Sequence, residues 1–213
     1  MKKLAKFISQ NKIQFFFFVG LVGIMIFTIV ISFTTAPSDD TPSVVVPNDP
    51  TPDNPVDVDP VETIELPFSD EIDFVVVRKF YEKDAPKEEQ KQSLIKYQNG
   101  YRTSVGTSYA QKNGEPFDVL SVLSGRVVEI KSSPLYNNYV VVEHDGGFMS
   151  YYYGLNEVTV TLGSEITQGT KLGVSWKTEI DAETGNHVYV KFMKNGKHYN
   201  PEKLIGKKLS EIE

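Results

Sequence analysis

Three patterns of apolar and polar positions succeed one another along the chain. Residues 15–33, FFFFVGLVGIMIFTIVISF, carry no charge at all. As a helix rising 1.5 Å per residue they would span about 28 Å, close to the hydrocarbon thickness of a bilayer. A secretory signal core is usually shorter, about 7–15 residues, so the pattern predicts an uncleaved transmembrane helix over 14–34; Thr34-Thr35-Ala36 is the place a signal peptidase would cut otherwise. From residue 74 the pattern becomes β-like. FVVVRKFY (74–81) predicts a strand, and Asp84-Ala85-Pro86 predicts the opening of a helix with Asp84 as its cap. KEEQKQSLIKYQ continues that helix until Asn99-Gly100 stops it. Short strands are then predicted over 126–131, 139–144, 148–153, 158–162, 171–174 and 187–193, with glycines between them. Asn195-Gly196 is a two-residue hairpin signal. The fold class is mainly β: an antiparallel sheet, sandwich or open barrel preceded by a short helix.

The middle pattern is set by charge. The chain carries a net charge of −6, unevenly spread. Residues 1–13 hold Lys2, Lys3, Lys6 and Lys12 and no acid, whereas residues 34–73 hold eleven acids and no base. Eight of the twelve prolines fall within 34–67. Mutually repelling acids and prolines cannot bury enough apolar surface to offset the entropy of ordering, which predicts a disordered, extended linker. The expected organisation is a basic tip (1–13), the membrane helix (14–34), an acidic Pro-rich linker (35–73), a strand and helix (74–100), a core domain (101–205) and a C-terminal tail (206–213). Lysines on the short N-terminal side place the N-terminus in the cytoplasm and the body outside.

Composition narrows the chemistry. There is no cysteine, which removes disulfides, thiolate metal sites, a cysteine nucleophile and a lipoprotein anchor. The acidic balance argues against nucleic acid as a partner. No GxSxG elbow or Gly-rich phosphate loop is present. Of the three histidines, His187 lies in the alternating stretch GNHVYVKF, His144 ends an apolar strand and His198 follows the hairpin. A lone histidine on a strand is more often structural than catalytic.

Five segments in order carry a resemblance: SVGTS (104–108), LSGRVVEI (123–130), VVVEHDGGFMSYYYGL (140–155), GSEITQGTKLG (163–173) and GNHVYVKFMKNGKHYNP (185–201). Together they resemble the LytM-type, lysostaphin-like zinc endopeptidase domain over 101–201. The resemblance implies that the metal-ligand positions fall on Ser104, Ser108 and Tyr189, and that the assisting histidine falls on Gly154. Only His187 is kept, at a position that helps activate water without binding zinc. Zinc takes imidazole, thiolate or carboxylate ligands, and hydroxyls that stay protonated near neutral pH are poor donors to it. Without the metal, nothing acidifies a water or polarises the scissile carbonyl. A degenerate domain is therefore expected, with no enzyme activity, no cofactor and no rescue by Asp118 or Glu115. GSEITQGTKLG also echoes a biotinyl/lipoyl turn, but no Met-Lys attachment pair accompanies it.

Upstream, VVVRKFYEKDAPKEEQKQSLIKYQNGY resembles the stage II sporulation protein Q family of endospore-forming Bacilli. That likeness implies a non-enzymatic, single-pass forespore membrane protein, its C-terminal domain in the intermembrane space. The implied partner is the ectodomain of a stage III sporulation protein AH, in a ring-like channel and adhesion complex that keeps the engulfing membrane attached. The alternative is a degenerate LytM regulator that binds peptidoglycan or activates a cell-wall hydrolase. Tyr151-Tyr152-Tyr153 would then line a glycan groove instead of simply alternating across a strand.

Overall fold

The computed structural model describes residues 62–212. The predicted basic tip, the membrane helix and linker residues 35–61 lie outside the described residues. Twelve strands and two short helices form the described part: β1 (Phe74–Arg78), α1 (Lys87–Gln92), β2 (Leu94–Tyr97), β3 (Gly100–Thr103), β4 (Thr107–Gln111), β5 (Asp118–Leu120), β6 (Gly125–Ser133), β7 (Asn137–Glu143), β8 (Phe148–Asn156), β9 (Glu165–Ile166), β10 (Lys171–Ser175), β11 (Val188–Lys194), β12 (Lys197–Tyr199) and α2 (Pro201–Leu204). One sheet runs in the order β1-β4-β11-β8-β7-β6-β9. β12 is added on β11, and β10 pairs with both β8 and β5. Every pairing is antiparallel, as the alternating pattern predicted.

Period-two alternation gives the central strands two faces. Val140 and Val142 of β7 stand opposite Tyr152 and Ser150 of β8, and those in turn stand opposite Val190 and Phe192 of β11. All six side chains are fully buried and, with Phe148, Val188, Val127 and Leu172, form one side of the sheet. The opposite side carries Tyr139, Val141, Met149, Tyr151, Tyr153, Tyr189, Lys191 and Met193 by the same registers. The Asn195-Gly196 hairpin forms as predicted: Lys194 pairs with Lys197, and both turn residues have positive φ.

The folded body begins earlier and ends later than the boundaries at 73/74 and 205/206. Thr63 bridges Lys208, the Ile64 amide donates to the Lys207 carbonyl at 2.8 Å, and the Gly206 amide donates to Ile64 at 2.7 Å. Ile64 and Phe68 are core residues at 0% and 3% exposure, and Ile212 is buried at the other end. Acids and prolines around them made this stretch read as linker, yet two well-placed apolar side chains are enough to seat it.

Two further expectations are corrected. The helix stops after Gln92, and Pro86 rather than Asp84 stands at its N-cap, with no side-chain cap. SLIKYQ instead turns back at Gln98-Asn99 into the β2–β3 hairpin, pairing Tyr97 with Gly100. An isolated helix of this length is marginal, and the hairpin satisfies the same backbone while burying Ile95. The strand expected over 158–162 does not form. Glu157, at φ 51°, turns the chain out of β8, and Thr159 makes the stretch's bonds to β10, through its amide and its hydroxyl.

Candidate functional site

The positions singled out in the sequence converge at one end of the sheet's open face. β4 and β11 run antiparallel with Ser108 directly opposite Tyr189. Ser104 sits on the turn just before β4, pinned by its amide to the Ser93 carbonyl and by its own carbonyl to the Tyr81 amide. Its hydroxyl donates to the Gly106 carbonyl at 2.7 Å and lies 3.3 Å from the Tyr189 hydroxyl. The Val105 amide also donates to that phenol, at 3.1 Å. Gly106 makes the approach possible: a Cβ there would meet the Val190 carbonyl and come within 2.9 Å of the Tyr189 ring. Burial pushes the Tyr189 phenol up to about 12, so it is neutral throughout the physiological range.

These three residues do not fit a zinc ion. The donors are two serines, one of which already gives its proton to a carbonyl, and a neutral phenol held by an amide. None has the imidazole or carboxylate character that zinc needs. Among the described residues no group of three or more His, Asp or Glu side chains stands close enough to hold a metal. Asp118 is engaged with Lys171 at 2.7 Å on the β5–β10 pair.

His187 lies just before β11, bridged to Trp176, at 1% exposure. Its Nδ1 is 2.9 Å from the Gly185 carbonyl and 2.8 Å from the Thr184 hydroxyl, which itself donates to Asp181. Both contacts are acceptors, so Nδ1 carries the proton, and Nε2 faces Thr178 at 3.4 Å. Burial holds the imidazole's pKa below its usual value, which keeps it neutral. Gly154 packs alongside with φ +81°. A Cβ there would be 3.0 Å from both the His187 carbonyl and Thr178 Cγ2, so a side chain at this position would be strained by the backbone and crowded by its neighbours. His144 belongs to a separate buried network, 2.8 Å from the Ser124 carbonyl and 2.7 Å from Ser150 Oγ. His198 stands on β12, opposite Met193.

Sequence reasoning missed the pair that braces the site. Arg78, at the end of β1, holds Asp181 through two bonds of 2.9 and 2.5 Å and donates to the Leu94 carbonyl at 2.5 Å. It thereby ties β1, the β2–β3 hairpin and the loop before His187 around a cavity of about 700 Å³. The only signal in the sequence was an arginine in an otherwise apolar strand. Both side chains are largely buried, at 15% and 9% exposure. Asp181→Ala strands the guanidinium and should cost about 3–5 kcal/mol. Arg78→Met/Asp181→Leu should cost less than Asp181→Ala alone; urea unfolding of the set measures it.

The open face continues from this site as a tyrosine cluster. The Tyr153 ring lies 5.8 Å from Tyr189, 4.9 Å from Tyr139 and 5.1 Å from Tyr136 between centroids. The Lys191 ammonium sits 3.7 Å above the Tyr151 ring.

The model for peptidase family M23 matches residues 102–201. Stage II sporulation protein Q of Bacillus subtilis (strain 168) is 39% identical over 153 residues, covering 72% of this chain and 54% of that protein. The chain thus spans about half the length of this relative. A chain from the solved SpoIIQ–SpoIIIAH pore forming complex is 38% identical with a TM-score of 0.69, covering 72% of this chain and 97% of that one. A zinc containing peptidase from Vibrio cholerae shares the fold at 21% identity and a TM-score of 0.51, covering 66% of this chain and 39% of that one.

Proposed function

Because this chain belongs to the stage II sporulation protein Q family and carries a peptidase family M23 domain, we propose that it is a non-enzymatic, membrane-anchored sporulation protein. Its body binds the ectodomain of a stage III sporulation protein AH across the intermembrane space and helps build a channel and adhesion complex between forespore and mother cell. The observation that carries this reading is the 38% identity, with a TM-score of 0.69, to a chain solved in the SpoIIQ–SpoIIIAH complex. Ser104, Ser108 and Tyr189 stand at the degenerate ligand positions, and His187 is a vestige whose nitrogens serve the local packing. A fold retained after its reactive groups are replaced still offers surfaces for recognition. The charge-free segment 15–33 anchors the chain, with the N-terminus in the forespore cytoplasm.

The full chain in detergent should bind the purified stage III sporulation protein AH ectodomain saturably in titration calorimetry. It should hold no stoichiometric zinc by elemental analysis and leave cross-bridged cell wall uncut. An absence of binding at high micromolar concentrations, or one zinc per chain with wall cleavage, would reverse the assignment.

A further inference from the structure

The open face of the sheet bears a half-buried cation that makes no ion pair within the fold. β11 carries Lys191 between Tyr151 and Tyr153 of β8: its ammonium is 3.7 and 5.5 Å from their ring centroids and donates to the Tyr153 hydroxyl at 3.3 Å. Among the described residues Lys191 makes no ion pair, unlike Lys79, Lys91, Lys112, Lys131, Lys171 and Lys203; the other lysines without one are solvent-exposed, apart from Lys194, which donates to the Ile212 carbonyl. The acid on the neighbouring part of this face, Glu129, is taken up by Lys131 and by the Tyr139 hydroxyl at 2.7 Å. Lys191 is also half-buried, so it has given up much of its water, and the only acid it feels is Glu129, through space and without an ion pair. Cation–π contact returns only part of that loss.

We propose that this face is the surface that docks the partner, and that the partner presents a carboxylate to Lys191. The inference rests on the partner assigned above and names where that partner sits. Flanking chemistry fits a protein surface: Met149 and Met193 stand opposite each other beside the lysine, and tyrosine and methionine are enriched at protein interfaces. A saccharide would instead need open ring faces. Here one face of Tyr151 is covered by the ammonium, and Tyr153 is surrounded by the rings of Tyr136, Tyr139, Tyr151 and Tyr189. Hydroxyls and ring edges remain, together with a positive charge that a carboxylate satisfies.

The test titrates the stage III sporulation protein AH ectodomain into the full chain and into three variants. Lys191→Met keeps the aliphatic stem and removes the charge, Lys191→Glu reverses it, and Leu162→Ser alters a remote side chain that is 67% exposed. Lys191→Met should weaken binding by about 30-fold and Lys191→Glu by more, with melting temperatures unchanged and Leu162→Ser binding like the parent. If the parent binds and both Lys191 variants bind equally well, the surface is wrong while the partner assignment stands. If the parent does not bind, both fall. If Lys191→Met loses only co-sedimentation with purified cell wall, the face belongs to a glycan and the proposal is overturned.

Discussion

A chain shortened to begin at Phe74 should fail to fold, whereas one beginning at Glu62 should melt cooperatively. The twelve residues between these starts supply the Ile64 and Phe68 side chains, at 0% and 3% exposure. Phe68 lies 4.9 Å from Phe74 and 5.5 Å from both Tyr109 and Phe117 between ring centroids, so it is the centre of an aromatic cluster. Emptying such positions costs about 2–5 kcal/mol for isoleucine and 3–5 for phenylalanine. The shorter chain also deprives the Leu120 amide of the Pro67 carbonyl it donates to at 2.9 Å, and the Val122 carbonyl of the Glu65 amide it accepts from at 3.1 Å. The Gln168 side chain loses the Thr63 carbonyl as well. Together these losses match the whole stability of a typical domain, roughly 5–15 kcal/mol. Near-ultraviolet circular dichroism with a thermal scan decides the matter. A sharp transition in the chain starting at Phe74 would show that residues 62–73 are dispensable cladding.

The variant Ser104→His/Ser108→Asp/Tyr189→His should take up about one zinc per chain, and the parent should take none. The geometry favours it because Ser108 and Tyr189 are direct cross-strand neighbours and the Ser104 hydroxyl already lies 3.3 Å from the phenol. Removing the phenol opens the space in which three new donors meet. Without metal the new aspartate would be a buried, uncompensated charge, since Ser108 is 1% exposed, and the variant should melt well below the parent. Zinc should restore the loss by linkage. Elemental analysis and melting with and without added zinc read both effects. A folded variant indifferent to zinc would show that these positions do not form the inherited ligand set. Cleavage should stay weak even when loaded, because Gly154, at a φ of +81° that strains any side chain, supplies no assisting imidazole.

How much of this was legible depended on whether the controlling contacts were local. Alternation along 139–144, 148–153 and 187–193 announced β7, β8 and β11, because a one-residue slip would turn each hydrophobic set outward. Asn195-Gly196 announced its hairpin through turn chemistry alone. That Ser104, Ser108 and Tyr189 lie together could be anticipated because the glycines and strand segments that carry them follow one another in a readable order. Ile64 and Phe68 stayed hidden among acids and prolines, since a single apolar residue carries no periodicity. The β2–β3 hairpin was masked by helix-favouring Lys, Glu and Gln. The Arg78–Asp181 pair joins residues 103 positions apart, and only the folded sheet brings them together.

The closure of the body at Ile64 also has a mechanical side. The segment entering the fold is held to the last turn by main-chain bonds from Ile64 to Lys207 and from Gly206 back to Ile64, with Thr63 bridging Lys208. A tug arriving along the chain from upstream would therefore load this two-sided latch first, and the central strands would feel it only after the latch gave way. The seam between the two ends of the body is thus the first part of the described fold that tension along the chain would meet.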